Sequence, residues 1–239
     1  MVLPPGLSHA PNSVFKLKKS LYGLKRASLQ WFAELNFELQ KQGFSQSHSD
    51  ASLFIRRTDS SVTFAAIYVD DIILTGDSPL VMDELKEHQH RAFTIKDLGR
   101  SKFFLGIEIN YLLDGITMTQ HKFTQELLHE SGIDSFKSVV TPLPINLKLQ
   151  KAASPFFSDP QLYRSLVAKL NFLTHTLPDL AYTVQTLSQY MQSPTEAHYQ
   201  ALTHTLNYLH TTAGQGILLR ASDQLSLQAF CRLGLGFLH

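Results

Sequence analysis

Residues 64–76, FAAIYVDDIILTG, set two apolar runs against each other across an adjacent pair of carboxylates, Asp70 and Asp71. Phe64, Ile67, Val69, Ile72, Ile73 and Leu74 are strand formers that favour burial, so the pattern predicts two antiparallel strands with the aspartates at the rim of a core. Asp is also a common turn residue, and one reading of the pair is simply the polar tip of a two-stranded ribbon. No Gly or Asn stands at the turn to supply the positive backbone angles that two-residue hairpins prefer, so the residues are not chosen for turning. Two carboxylates about 5 Å apart at an effective dielectric near 20 repel by roughly 3 kcal/mol, a cost that a divalent cation would remove. Adjacent aspartates on a strand-turn-strand are what a two-metal phosphoryl-transfer site requires.

The chain around this stretch has 239 residues, 44% hydrophobic and 17% charged, with a formal net charge of +1. That length supports a sizeable core and more than one domain. No apolar run reaches the length of a membrane span, and residues 1–11, MVLPPGLSHAP, lack the apolar stretch of a signal peptide. The single cysteine, Cys231, excludes an internal disulfide framework and a cysteine zinc site. Positive charge is unevenly spread. Residues 16–26, KLKKSLYGLKR, hold Lys16, Lys18, Lys19, Lys25 and Arg26 and no acid, whereas Leu170 to Leu219 contains no Lys or Arg. A phosphate-binding surface is therefore expected in the first third of the chain.

Local patterning predicts an α+β fold. Residues 27–42 read as an amphipathic helix with Trp31 and Leu35 four apart, Phe32, Leu35 and Leu39 on a shared stripe, and Gly43 as the stop. SLFIRR and VTFAAIYV are strands around the turn-prone TDSS, and IILTG returns after the aspartates. Residues 79–92 read as a helix with Leu80, Met82, Leu85 and His88 at helical spacing. KFFLGIEINYLLDGITMTQ reads as a hairpin turning at Asp114-Gly115, and HKFTQELLHESGI as a helix ended by Gly132. A proline-punctuated, aperiodic stretch places a boundary near Leu143. Beyond it three leucine-striped helices, one from Pro160, one after Pro178 and one after Pro194, are expected to form a bundle, and GILL with LSLQAF looks like the start of another sheet.

In order along the chain, VFKLKKSLYGLKRASLQWF, SDASLF, YVDDIILTG, IKDLGRSKFFLGIEI, TPL, SDPQLYRSLVAKLNFLT, LPDLAY, LSQYMQSPTEAHYQAL and YLHTTAGQGI resemble the reverse transcriptase of copia-type LTR retrotransposon Pol polyproteins. The resemblance implies a partial right-hand polymerase palm and fingers over 1–143, a helical thumb and connection over 144–213, and the truncated start of RNase H with an aberrant tail over 214–239. It implies that Asp70 and Asp71 bind Mg²⁺ and that Tyr68 and Val69 lie near the primer terminus. The turn at Tyr22 and Gly23, with Lys25, would lie under template and incoming nucleotide; as residues alone it reads equally as a helix-entry glycine beside solvated lysines. Phe104, Leu105 and Gly106 resemble the hairpin that grips the primer, or else a buried strand pair. Lys16, Lys18, Lys19 and Arg26 would contact the nucleic-acid backbone. The implied partners are an RNA template, a DNA primer and their RNA–DNA hybrid, and deoxynucleotides. The implied location is a cytoplasmic particle or the nucleus.

Departures shape a further expectation. The family's first catalytic carboxylate lies in a D-V-x-x-A-F-like strand just upstream of an M-x-x-P-P-G-F-like stretch, whereas MVLPPGL already occupies residues 1–7 here. The expectation is a fragment without that carboxylate, inactive alone, and without the family's integrase upstream and RNase H downstream. One codon choice for CRLGLGFL, shifted by one base, reads A-D-W-A-W-A-S, close to the acidic run that opens RNase H in the family. His204, Asn207 and His210 stand where the family tends to be basic. Competing readings are a non-catalytic nucleic-acid-binding remnant and a pseudogene product.

Overall fold

The computed structural model describes residues 23–24, 26–133, 135–151 and 154–222. Among them the fold is α+β, with two four-stranded antiparallel sheets and six α-helices. Contacts divide the chain into two compact units, Met1–Gly99 and Arg100–His239.

In the first unit, helix α1 (Ala27–Lys41) buries Leu35 and Leu39, spaced four apart on one face. It stops at Gly43, whose φ of 80° lets the chain reverse, so that the Phe44 N–H reaches the Leu39 carbonyl. Strands β1 (Ser45–Gln46), β2 (Leu53–Arg57), β3 (Val62–Tyr68) and β4 (Asp71–Gly76) follow in sheet order β1-β2-β3-β4. The alternation along β3 is regular: Thr63, Ala65 and Ile67 are buried, and the residues between them are only half-covered. Helix α2 (Pro79–Phe93) starts with proline in its first turn, and the Ser78 hydroxyl accepts from the Val81 N–H. Leu35, Leu39, Phe44, Phe54, Ala65, Ile67 and Leu85 form the core, with Trp31, Phe32, Ile72, Leu74 and Phe93 packed against it.

Helix α2 departs from its expected stripe. Its buried positions are Leu85 and Gln89, while Leu80 is 77% exposed. His88 turns to α1, where its Nε2 lies 2.8 Å from Glu38 Oε2.

The second unit contains β5 (Phe103–Phe104), β6 (Ile107–Leu112), β7 (Gly115–Thr119) and β8 (Gly216–Arg220), in sheet order β5-β6-β7-β8. The β6–β7 register pairs Leu112 with Gly115, so the turn is Leu113-Asp114, one residue earlier than Asp114-Gly115. Gly115 is instead required by the neighbouring strand: a Cβ there would stand 2.2 Å from the Leu219 carbonyl oxygen. Residues 216–220, expected to open another sheet, complete this one by pairing with β7.

Helices α3 (His121–Glu130), α4 (Pro160–Leu173), α5 (Ala181–Ser188) and α6 (Glu196–Thr211), with a 3-10 turn at Pro178–Leu180, complete the unit. The Asp159 carboxylate caps α4 by accepting from the Leu162 N–H at 2.9 Å. Leu166, Leu170, Leu173, Leu180, Leu187, Leu202, Leu206 and Leu209 are fully or almost fully buried, each contributing on the order of 1.5–3 kcal/mol of burial. Tyr163 is enclosed among them and donates its hydroxyl to the Leu187 carbonyl at 2.9 Å.

The proline-punctuated stretch near Leu143 does not divide the compact units; it runs inside the second one. The His204 imidazole donates to the Thr141 carbonyl at 3.0 Å, and Thr205 Oγ1 donates to that of Pro142 at 3.0 Å. Asn207 Oδ1 accepts from the Lys137 N–H at 2.8 Å, and Phe136 stacks on His210. His204, Asn207 and His210, which stand where the family tends to be basic, thus fasten α6 to its own chain.

Candidate functional site

The β3–β4 register ends at Tyr68 opposite Asp71, which leaves Val69 and Asp70 as the two residues of the turn. The aspartates therefore lie at a tight connection between adjacent antiparallel strands. Ile67 is buried beneath it and Ile72 packs against the core. Val69 does not. It is 56% exposed, and its φ of 55° is a left-handed value that β-branched residues rarely adopt. The turn lacks glycine, and Val69 takes the positive angle that glycine or asparagine would normally supply. Its side chain is consequently directed away from the core that the strand alternation predicted for it.

Trp31 explains how this conformation is held. Its Nε1–H donates to the Val69 carbonyl at 2.7 Å. Its ring meets Phe93 edge-on, with centroids 4.8 Å apart at 71°. Two helices thus brace the turn, one by the indole and the other by the phenyl ring against it. Sequence patterning placed Trp31 on the core stripe of α1 and passed over its polar edge. The available signal was chemical: a half-buried indole N–H seeks an acceptor.

Asp70 and Asp71 are both exposed, and among the described residues neither carboxylate makes a hydrogen bond or ion pair. Water therefore screens their repulsion more than a rim-of-core position would. Two free carboxylates on consecutive residues suit one hydrated divalent ion, which retains most of its waters. Among the described residues, no group of three or more His, Cys, Asp and Glu side chains stands close enough to hold a metal. Among the described residues, Asp70 and Asp71 by themselves supply too few oxygen donors for a two-ion site. Tyr68, which precedes the turn, is 54% exposed.

The second unit carries another tight turn. Phe103 pairs with Glu108 and Phe104 with Ile107, so Leu105 and Gly106 form the connection, with φ of 50° and 79°. Phe104 is half-buried, whereas Leu105 and Gly106 are exposed. Phe172 packs against Gly106, where a Cβ would stand 3.1 Å from its ring. Of the proposed primer-contacting residues, then, the last two form an exposed hairpin tip on a strand pair.

In the basic segment, Gly23 has a φ of 86° and is exposed, and Arg26 is exposed at the N-terminus of α1. Lys16, Lys18, Lys19, Tyr22 and Lys25 lie outside the described residues, as does the tail 223–239. No helix among the described residues is long and apolar enough to cross a membrane.

Residues 1–145 match the family model described as reverse transcriptase (RNA-dependent DNA polymerase). The chain is 38% identical over 232 residues to the retrovirus-related Pol polyprotein from transposon RE1 of Arabidopsis thaliana, covering 96% of this chain and 16% of that protein. It is 33% identical over 240 residues to the putative transposon Ty5-1 protein of Saccharomyces cerevisiae, covering 99% of this chain and 78% of that protein. Identity to the retrovirus-related Pol polyprotein from transposon TNT 1-94 of Nicotiana tabacum is 29% over 222 residues, or 89% of this chain and 17% of the relative. No solved structure matches. The chain spans about one sixth of the length of the polyproteins it matches, 16% for the RE1 protein. These matches do not favour a reading outside polymerase ancestry: the chain belongs to the reverse transcriptase family, as part of a copia-type retrotransposon Pol polyprotein.

Proposed function

We propose that the Asp70–Asp71 turn is the metal-holding edge of a polymerase palm that adds deoxynucleotides to a DNA primer on an RNA template. The observation that carries this reading is a pair of exposed, unengaged carboxylates at the tip of a two-residue hairpin, built on a core strand that ends at the buried Ile67. Mg²⁺ bound there would offset the charge that develops on the attacking 3′-oxygen and the departing pyrophosphate. The chain's own contribution is to fix two oxygen ligands side by side on a braced turn, with Tyr68 and Val69 next to them facing the primer terminus.

The remaining roles follow the same frame. The Leu105-Gly106 tip, with Phe104 behind it, bears on the primer strand. The Gly23 turn, with Tyr22 and Lys25, lies under template and nucleotide. Lys16, Lys18, Lys19 and Arg26 neutralise phosphates of the hybrid, and α4 to α6 act as thumb and connection.

Two carboxylates hold an ion without placing two ions in line with the reacting phosphorus, and a misplacement of about 1 Å can cost on the order of 10²-fold in rate. The chain by itself is therefore expected to bind Mn²⁺ or Mg²⁺ weakly and not to extend a primer. A version extended upstream through a D-V-x-x-A-F-like strand should extend one. The experiment compares the two on a primed RNA template with either ion, each with and without Asp70→Asn. Extension by the shorter chain that vanishes with Asp70→Asn would show that another of its carboxylates serves as third ligand, and would overturn the requirement for the added strand. Failure of the longer chain to extend, with hybrid binding intact, would count against the polymerase reading itself.

A further inference from the structure

We infer that Trp31 is a positioning residue for the Asp70–Asp71 turn: its indole N–H, by holding the Val69 carbonyl, keeps Val69 left-handed and so fixes the direction in which the two carboxylates are presented. The inference rests on the reading of that turn as an ion-binding edge and adds to it the device that maintains its geometry.

Three observations converge. Val69 has a φ of 55° without being glycine, so the turn needs an external restraint to stay in this conformation. The Trp31 Nε1–H to Val69 carbonyl bond, at 2.7 Å, supplies one at the strained residue itself. The restraint is rigid at its other end, because Trp31 is on α1, beside the buried Leu35, and its ring is fixed edge-on to Phe93 of α2. Releasing the carbonyl would let the 69–70 peptide rotate, and rotation would turn Asp70 relative to Asp71.

The chain contains one tryptophan, so the contact can be read directly. In the full-length chain without metal, the single indole N–H resonance should exchange with water far more slowly than a free indole. Trp31→Phe, which keeps an aromatic ring against Phe93 and removes the donor, should speed amide exchange at residues 69–71. In Mn²⁺ titrations followed by electron paramagnetic resonance of the free ion, Trp31→Phe should bind about threefold to tenfold more weakly than wild type, the range expected for one net hydrogen bond. Val69→Gly separates positioning from packing. Glycine adopts the positive φ without strain, so Trp31→Phe in that background should weaken Mn²⁺ binding by less than about twofold.

An indole that exchanges as freely as a solvated one would overturn the inference, even if Trp31→Phe did not fold. So would an equal loss in both backgrounds, which would make Trp31 a packing residue only. Wild-type Mn²⁺ binding that is indifferent to Asp70→Asn with Asp71→Asn would instead remove the ion-binding reading. In that case the metal-free exchange measurements alone would judge whether Trp31 restrains the turn.

Discussion

His88 Nε2 stands 2.8 Å from Glu38 Oε2, joining α2 to α1 across the face that packs on the first sheet, while Lys41 Nζ holds the other carboxylate oxygen at 2.6 Å. Gln42 Nε2 lies 3.1 Å from His88 Nδ1, so the imidazole is engaged at both nitrogens. Lys41 first and His88 second hold the Glu38 carboxyl below its usual range, against a smaller opposing effect of burial. A carboxyl with a lowered folded-state pKa contributes stability above its unfolded value, near 4.5, and loses it as pH falls through the folded value. Glu38→Gln should therefore lower the urea midpoint of the first unit at pH 7, and the two midpoints should converge as pH falls below 4.5 and through the lowered folded-state value. A gap that stays constant as the medium is acidified would mean that the charge on Glu38 is not what links the helices.

Gln89 is almost completely buried on α2, and among the described residues neither its amide nitrogen nor its amide oxygen has a partner. Burying an unsatisfied amide costs about 1–3 kcal/mol. Gln89→Met, close in volume and without hydrogen-bonding demand, should stabilise the first unit by roughly 1–2 kcal/mol in denaturant titration. A lower midpoint would show that the amide is satisfied in solution.

His198 is fully buried at the start of α6, with its Nδ1 accepting from the Thr195 N–H at 2.9 Å and its ring stacked on Tyr190 at 3.8 Å. Burial lowers its pKa, and the nearby Gln150 backbone offsets that only in part. The unfolded chain takes up this proton first, so the neutral-histidine contribution is complete above about pH 6.5 and is lost as pH falls towards the lowered value. Thermal unfolding followed across pH 7 to 5 should show a falling midpoint in the second unit, with a shallower slope in His198→Gln.

Gly115 tests the closing strand. Its missing Cβ leaves room for the Leu219 carbonyl, so Gly115→Ala should push β8 away and destabilise the second unit by roughly 1–3 kcal/mol. Amide exchange over Gly216–Arg220 should accelerate. Gly132→Ala is the contrast: its φ of 66° makes alanine costly by about 1–2 kcal/mol, but open space surrounds the site, so β8 exchange should not change.

What could be read from residues alone followed local rules. Alternation gave β3 and β4 and the aspartate turn between them, and helical spacing with proline starts gave α1, α2 and the three later helices. The misses are of a different physical kind. A left-handed valine is legible only once Trp31 is known to reach its carbonyl, because propensity alone argues against it. Gln89 was hidden because a polar residue on a helix is ordinarily assigned to water. The pairing of β8 with β7 depends on contacts between distant residues, which leave no periodicity in the sequence. His204, Asn207 and His210 were weighed only as missing positive charge, while their hydrogen bonds and stacking partners lie in the 136–142 segment.

The two sheets impose different timetables on a chain made from its N-terminus. In the first, every strand pairs with its sequence neighbour, so β1 to β4 can assemble as they emerge, and the aspartate turn forms as soon as β4 is available. The second sheet pairs Gly115 with Arg220, and the four helices described in that unit lie between them. Its edge along β7 stays unpaired until the last helix has left the ribosome, and a long loop must then be closed. During that interval β7 offers free backbone groups to any passing strand. The first unit gains its carboxylate-bearing turn early, whereas the second depends for its protection on how quickly its final strand arrives.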